Sequence, residues 1–198
     1  MSPEVRDIVS LFHLISMLFM SAPLYMLIMA NERARFSVPP GYNVDRYLEN
    51  IVKSQPIRCY GFLAGIVITG TLLTVYRPEW SPDPIWTNWA LIIKMVVVTV
   101  IFGLLSYVHF YIQPRIDALF TGLNPGEEIP KDKKPILSTW RARRKKLSAF
   151  CLFLVLTGVI TGVTVVSDWA PWLVVVLLAV AAIFAWRVYR KPVRFGWF

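Results

Sequence analysis

The chain has 198 residues, 56% of them hydrophobic and 14% aromatic, with a mean hydropathy of +0.54 and a formal net charge of +9. The apolar residues come in long blocks, which excludes an ordinary soluble domain. Crossing the hydrocarbon core takes roughly 20 apolar residues as a helix, because a helix satisfies its own backbone where water is absent. By that length criterion the spans fall at 8–30, 59–76, 87–112, 147–166 and 170–187. The expected fold is an all-α polytopic membrane bundle of five transmembrane helices, forming one domain over residues 1–198.

The first span follows a short polar start in which Glu4 and Asp7 oppose Arg6. No small-residue cleavage site ends it, so it reads as a retained span and not a cleaved signal peptide. It contains His13, with Met17 and Met20 at i+4 and i+7 on the same helical face. The 31–58 loop carries five basic residues, including Arg33 and Arg35, and a Pro39-Pro40-Gly41 turn. After the turn, Val44, Tyr47, Leu48 and Ile51 share one face, the pattern of a short amphipathic helix on the membrane surface.

The second span has Gly61 and Gly65 four apart, as the fourth has Gly158 and Gly162, a spacing that lets helices approach closely. Cys59 and Cys151, at the same ends of those two spans, read as buried packing residues. The third span holds the one charge inside an apolar run, Lys94 in Ala90–Val98. A basic side chain in mid-span costs about 2.5–3.5 kcal/mol, so it has a role or an escape to the interface. The 113–146 loop carries nine basic residues and a polar, Pro/Gly-rich stretch at 121–136 that reads as a linker. The last two spans form a tight hairpin around Ser167-Asp168-Trp169, with Asp168 and Pro171 opening the final helix.

Basic residues alternate between loops. The 31–58 and 113–146 loops and the tail from Arg187 to Arg194 are rich in them, while 77–86 holds only Arg77 and 167–169 none. The Lys/Arg bias places the amino terminus outside and the carboxy terminus in the cytoplasm, in a cell inner membrane. The run Trp140–Lys146 then reads as a topology determinant and a contact for anionic lipids, and no nucleic-acid partner is expected. Trp80, Trp86, Trp89, Trp169 and Trp172 belong to an outer aromatic belt, and Trp140, Trp186 and Trp197 to an inner one.

Orientation puts His13 and Lys94 near the same, outer end of the bundle, at depths matching within a few ångströms. His109 lies roughly 22 Å further along the third span and reads as an interfacial residue. A neutral His and a deprotonated Lys amine can both ligate iron, so His13 and Lys94 are candidate ligands of a haem b. His13, Met17 and Met20 are the alternative, a copper site of imidazole and thioethers.

A His early in the first span, Thr69-Gly70 late in the second, and Trp89 followed by Lys94 in the third resemble the superfamily of CopD-type copper-resistance proteins and HemJ-type protoporphyrinogen oxidases. The resemblance covers the first four spans and implies haem-b ligation by His13 and Lys94. The HemJ branch carries a Trp-plus-Gly pattern and then a Pro-Arg pair in its first span. Here the region reads Met20-Ser21-Ala22-Pro23-Leu24-Tyr25-Met26, with no Arg before Arg33. The fold and haem binding are therefore implied more strongly than porphyrinogen oxidation. The expected function is a haem-dependent membrane oxidoreductase. Copper transport or sequestration, and a non-catalytic subunit packed among other membrane subunits, are the alternatives.

Overall fold

A computed structural model describes residues 2–31, 42–76, 88–124, 126–164, 167 and 169–190, with side chains up to Leu24 in the first helix. Arg33, Arg35, the Pro39-Pro40-Gly41 turn, Arg77, Trp80, Trp86, Asp168, Lys191, Arg194 and Trp197 lie outside the described residues, as do the side chains of Tyr25 and Met26. The described chain is helical: α1 (Pro3–Asn31), α2 (Tyr42–Tyr76), α3 (Trp89–Tyr107), a π turn (Val108–Ile112), α4 (Gln113–Phe120), α5 (Lys133–Thr164) and α6 (Pro171–Arg190). Five of these stretches are long and apolar enough to cross a membrane, with the π turn and α4 continuing α3.

Local chemistry sets several boundaries. Asn88 caps α3, its Oδ1 accepting from the backbone N–H groups of Ala90 and Leu91 at 3.1 and 3.2 Å. Pro171 opens α6 with its φ already helical. Pro114 lacks an N–H, and its ring crowds the carbonyl four residues back, at Phe110. The chain relieves this by widening into the π turn and continuing as α4, so the third span does not stop at residue 112 as its hydropathy predicts.

Helix α5 is the centre of the bundle. Forty-four per cent of its apolar window is buried, against 22% or less in the other spans. Helix α1 packs on α2 and α5, α3 packs on α5 with a lighter contact to α2, and α6 lies against α5. Met20, Cys59, Leu63, Ile101, Cys151 and Leu154 belong to one core. Both cysteines are free and buried in it, the packing role expected of them. Large apolar side chains such as Leu14, Leu18, Val175 and Ile183 face outward, where acyl chains would surround them. Successive spans alternate in direction. One end of the bundle, holding His13, gathers the beginnings of α1, α3 and α6 with the ends of α2 and α5. The other is the arginine end.

The arginine end departs most from expectation. Residues 42–58 are not a separate surface helix: they extend α2 without a break. Tyr47 and Val44, expected on the membrane face, are 66% and 44% exposed, and the buried face carries Asp45, Glu49 and Val52. Part of the 113–146 loop is likewise α4 and the first turns of α5. Between α4 and α5 the described residues turn at Gly122 and Gly126, with φ of 81° and 92°, and bury Ile129. Val108, Ile112, Ile116, Phe120, Ile129 and Leu137 form a second core there.

Beside that core, Arg141 and Arg144 are buried, not free on the surface. Arg141 donates from Nε to Glu49 at 2.7 Å and from Nη1 to Asp45 at 2.6 Å. Arg144 donates from Nη1 to Glu49 at 2.7 Å and to the Gln113 carbonyl oxygen at 2.8 Å. Burial pushes the Glu49 carboxyl up, but the charges and hydrogen bonds of Arg144 and then Arg141 outweigh it and hold the group below the ordinary glutamate range. Two further bases of the run lie against aromatic rings: Arg143 over Tyr107 and Trp140, and Lys146 over Tyr189.

Candidate redox-metal site

At the other end of the bundle, His13 turns towards α2. Its Nδ1 lies 2.8 Å from the Thr69 hydroxyl, which in turn lies 2.6 Å from the Gly65 carbonyl. A hydroxyl has one proton, and here it goes to the carbonyl. Thr69 Oγ1 must therefore accept from His13 Nδ1–H. The Ile66 backbone is a second hydrogen-bond partner of the ring, so α2 holds His13 through two groups, as outer hydrogen bonds orient a metal-binding histidine. The neighbouring glycine makes room for the ring. A Cβ on Gly70 would lie 3.2 Å from His13 Cε1. Gly65 admits Ser16 in the same way, whereas nothing lies within 4 Å of a Cβ on Gly61, so the packing pair expected at Gly61 and Gly65 is confined to Gly65.

Lys94 turns towards α5. It is half-buried, on the side of α3 whose buried residues are Ala90, Val97, Ile101 and Leu105. Its Cε and Nζ each lie 3.5 Å from where a Gly162 Cβ would stand. No carboxylate or hydrogen-bond acceptor partners it among the described residues. Gly162 is two residues from the end of α5.

Helices α1 and α3 flank α5 and do not form a direct seam, which revises the expected placement of a site between them. The glycines of α5 bring them into register. The Met17 methyl and Val97 Cγ1 lie 3.4 and 3.8 Å from a Gly158 Cβ. His13 is one turn outward of Met17, and Gly162 one turn outward of Gly158, so His13 and the Lys94 amine share one level.

The other candidates point elsewhere. Met17 faces α5, and Met20 is 1% exposed in the central core. Among the described residues, no three His, Cys, Asp or Glu side chains gather as a metal site. His109 lies in the π turn, its ring edge-on to Tyr60 at 6.1 Å. Tyr60 is nine residues before Thr69 on α2, about 13 Å along the helix, so His109 is remote from His13. The role of Thr69 was half visible in the sequence: Thr69-Gly70 could be seen, but its hydrogen bond to His13 needs the packing of α1 on α2.

No protein-family model, curated protein or solved structure matches the chain.

The hydroxyl relay makes a specific demand. Thr69→Val removes the acceptor for Nδ1–H at nearly constant volume and is expected to weaken binding of a metal cofactor at His13 by about 10- to 100-fold. Thr69→Ser keeps the acceptor and is expected to retain binding. Titration of each purified variant with hemin, followed by absorbance, compares them.

Proposed function

We propose that this is a multi-pass protein of the cell inner membrane that holds a haem b through His13 and Lys94 and acts as an oxidoreductase on a membrane-soluble substrate. The observation that carries this reading is the Thr69 hydrogen bond, which orients His13 at the end of the bundle where the Lys94 amine has no partner among the described residues. The donor chemistry fits: a neutral imidazole nitrogen and an amine that can lose its proton. A haem b bound there would supply one-electron chemistry tuned by its two axial ligands. The protein's own contribution is to orient the imidazole through Thr69 and to seat each donor against a glycine of a neighbouring helix, Gly70 for His13 and Gly162 for Lys94. An absorption spectrum of the detergent-purified protein tests this directly. A Soret band is expected after expression with haem supply, and its absence would sink the reading.

The same proposal places the site near the outer face and the arginine end in the cytoplasm, because the basic residues concentrate at that end. Ser2 and Ser138 are both exposed, at opposite ends of the bundle. A cysteine at Ser2 is expected to react with a membrane-impermeant thiol reagent in intact cells, and one at Ser138 only after lysis. The reverse pattern inverts the topology.

A further inference from the structure

Helices α2 and α3 pack lightly, and an apolar groove of about 430 Å³ runs between them. Its walls include Leu63, Ala64 and Val67 of α2 and Val98, Thr99 and Phe102 of α3. Val67 and Phe102 are 46% and 54% exposed, so the groove opens sideways, where a bilayer would be. The volume lies within the roughly 300–1,000 Å³ of small-molecule sites. Among the described residues no charged side chain lines it.

The groove ends on polar groups. Tyr60, which also lines it, meets Phe102 edge-on at 5.8 Å, and its hydroxyl lies 2.9 Å from that of Ser106. Two hydroxyls carry two protons and their mutual bond uses one, so one O–H has no acceptor among the described residues. His109 stands edge-on to the same Tyr60 ring, in the π turn, and its Nδ1 is buried without a hydrogen-bond partner. Phe102, Ser106 and His109 follow one another along the face of α3 that meets Tyr60.

An occupant must therefore enter from the bilayer, carry an apolar tail, and present an uncharged head that exchanges hydrogen bonds beside aromatic rings. A phospholipid or fatty acid brings an anionic head, for which the lining offers no cation. A quinone meets each requirement. Its carbonyl oxygen accepts from the spare hydroxyl of the Tyr60–Ser106 pair, at the end of the groove that Tyr60 lines. We propose that the α2/α3 groove binds an isoprenoid quinone, with its ring at Tyr60 and its tail along Ala64 and Thr99. The inference does not rest on haem at His13.

Equilibrium binding of radiolabelled decylubiquinone to the full-length, detergent-solubilised, delipidated protein tests it. Saturable binding at a single site per chain is expected, undisturbed by excess phosphatidylglycerol. Ala64→Trp and Thr99→Phe, which fill the groove from opposite walls, are expected to abolish it while the protein stays monodisperse on gel filtration. Tyr60→Phe, which removes one oxygen, is expected to weaken it about tenfold and serves if the bulky variants misfold. His13→Ala is expected to bind normally, which separates this inference from the haem reading. Non-saturable uptake, equal binding by folded Ala64→Trp, or displacement by phosphatidylglycerol would overturn the proposal.

Discussion

Lys94→Met is expected to remove or strongly shift the Soret band of the purified protein, and Lys94→Arg is expected not to restore it. The two variants separate the roles open to this residue. As a ligand, Lys94 must offer a lone pair; Met offers a different donor, and a guanidinium stays protonated and offers none. As a cation held at the carbonyl end of α5, Lys94 needs only charge and reach, which Arg supplies. His13→Ala should reproduce the spectrum of Lys94→Met, because both side chains would ligate one iron. His109→Ala should leave the spectrum unchanged. A wild-type spectrum in the Lys94→Arg protein would remove Lys94 from the coordination sphere and leave it a purely electrostatic role.

Glu49→Ala is expected to destabilise the bundle by about 3–5 kcal/mol, the range for stripping one partner from a buried ionic network. Glu49 is the acceptor shared by Arg141 and Arg144, with side-chain exposure of 1% against 0% for Arg144. Removing it takes away the carboxylate that the buried Arg144 guanidinium faces and keeps the neutral Gln113 oxygen beside it. Glu49→Ala with Arg144→Met takes away one charge of each sign, leaves Arg141 on Asp45, and is expected to recover part of the loss. Unfolding in mixed micelles provides the comparison; a Glu49→Ala change within about 0.5 kcal/mol of zero would mean that the network does not hold this end together. The pH dependence has a definite sign. The folded Glu49 carboxyl titrates below the ordinary glutamate range, so its contribution is complete above that range and fades as pH falls through the depressed folded value. The double variant should lack this acid sensitivity.

The five apolar runs were legible because crossing a bilayer imposes both length and composition on a sequence. The extensions of α2 and α5 were not, because hydropathy registers apolar faces and the faces they bury are charged. A signal was present in the spacing: acids at 45 and 49 repeat one helical turn apart, and bases at 141 and 144 do the same, each pair on one face. Read singly, those arginines looked like loop charges. The third span's end at residue 112 came from hydropathy alone, and the helix carries on past Pro114 through a π turn. At the candidate site, depth along two helices was enough to bring His13 and Lys94 to one level. The direction in which each side chain leaves its helix, His13 towards α2 and Lys94 towards α5, depends on packing that only the assembled bundle fixes.

Helix α6 acts as a ruler for the surrounding bilayer. Its 20 residues make about 30 Å of helix, equal to the thickness of an ordinary hydrocarbon core, so it has almost no slack to tilt. Trp172 and Trp186 stand near its two ends, both exposed, where headgroups would hold them. A thicker, sterol-rich bilayer would have to thin around α6 or draw those rings beneath the surface, at a fraction of a kcal/mol for each ångström of mismatch. Helix α2, at 35 residues or about 52 Å, is free of that limit, and its excess of about 22 Å can stand clear of the membrane as a rigid post. Bilayer thickness thus becomes a variable to which the two ends of this protein respond unequally.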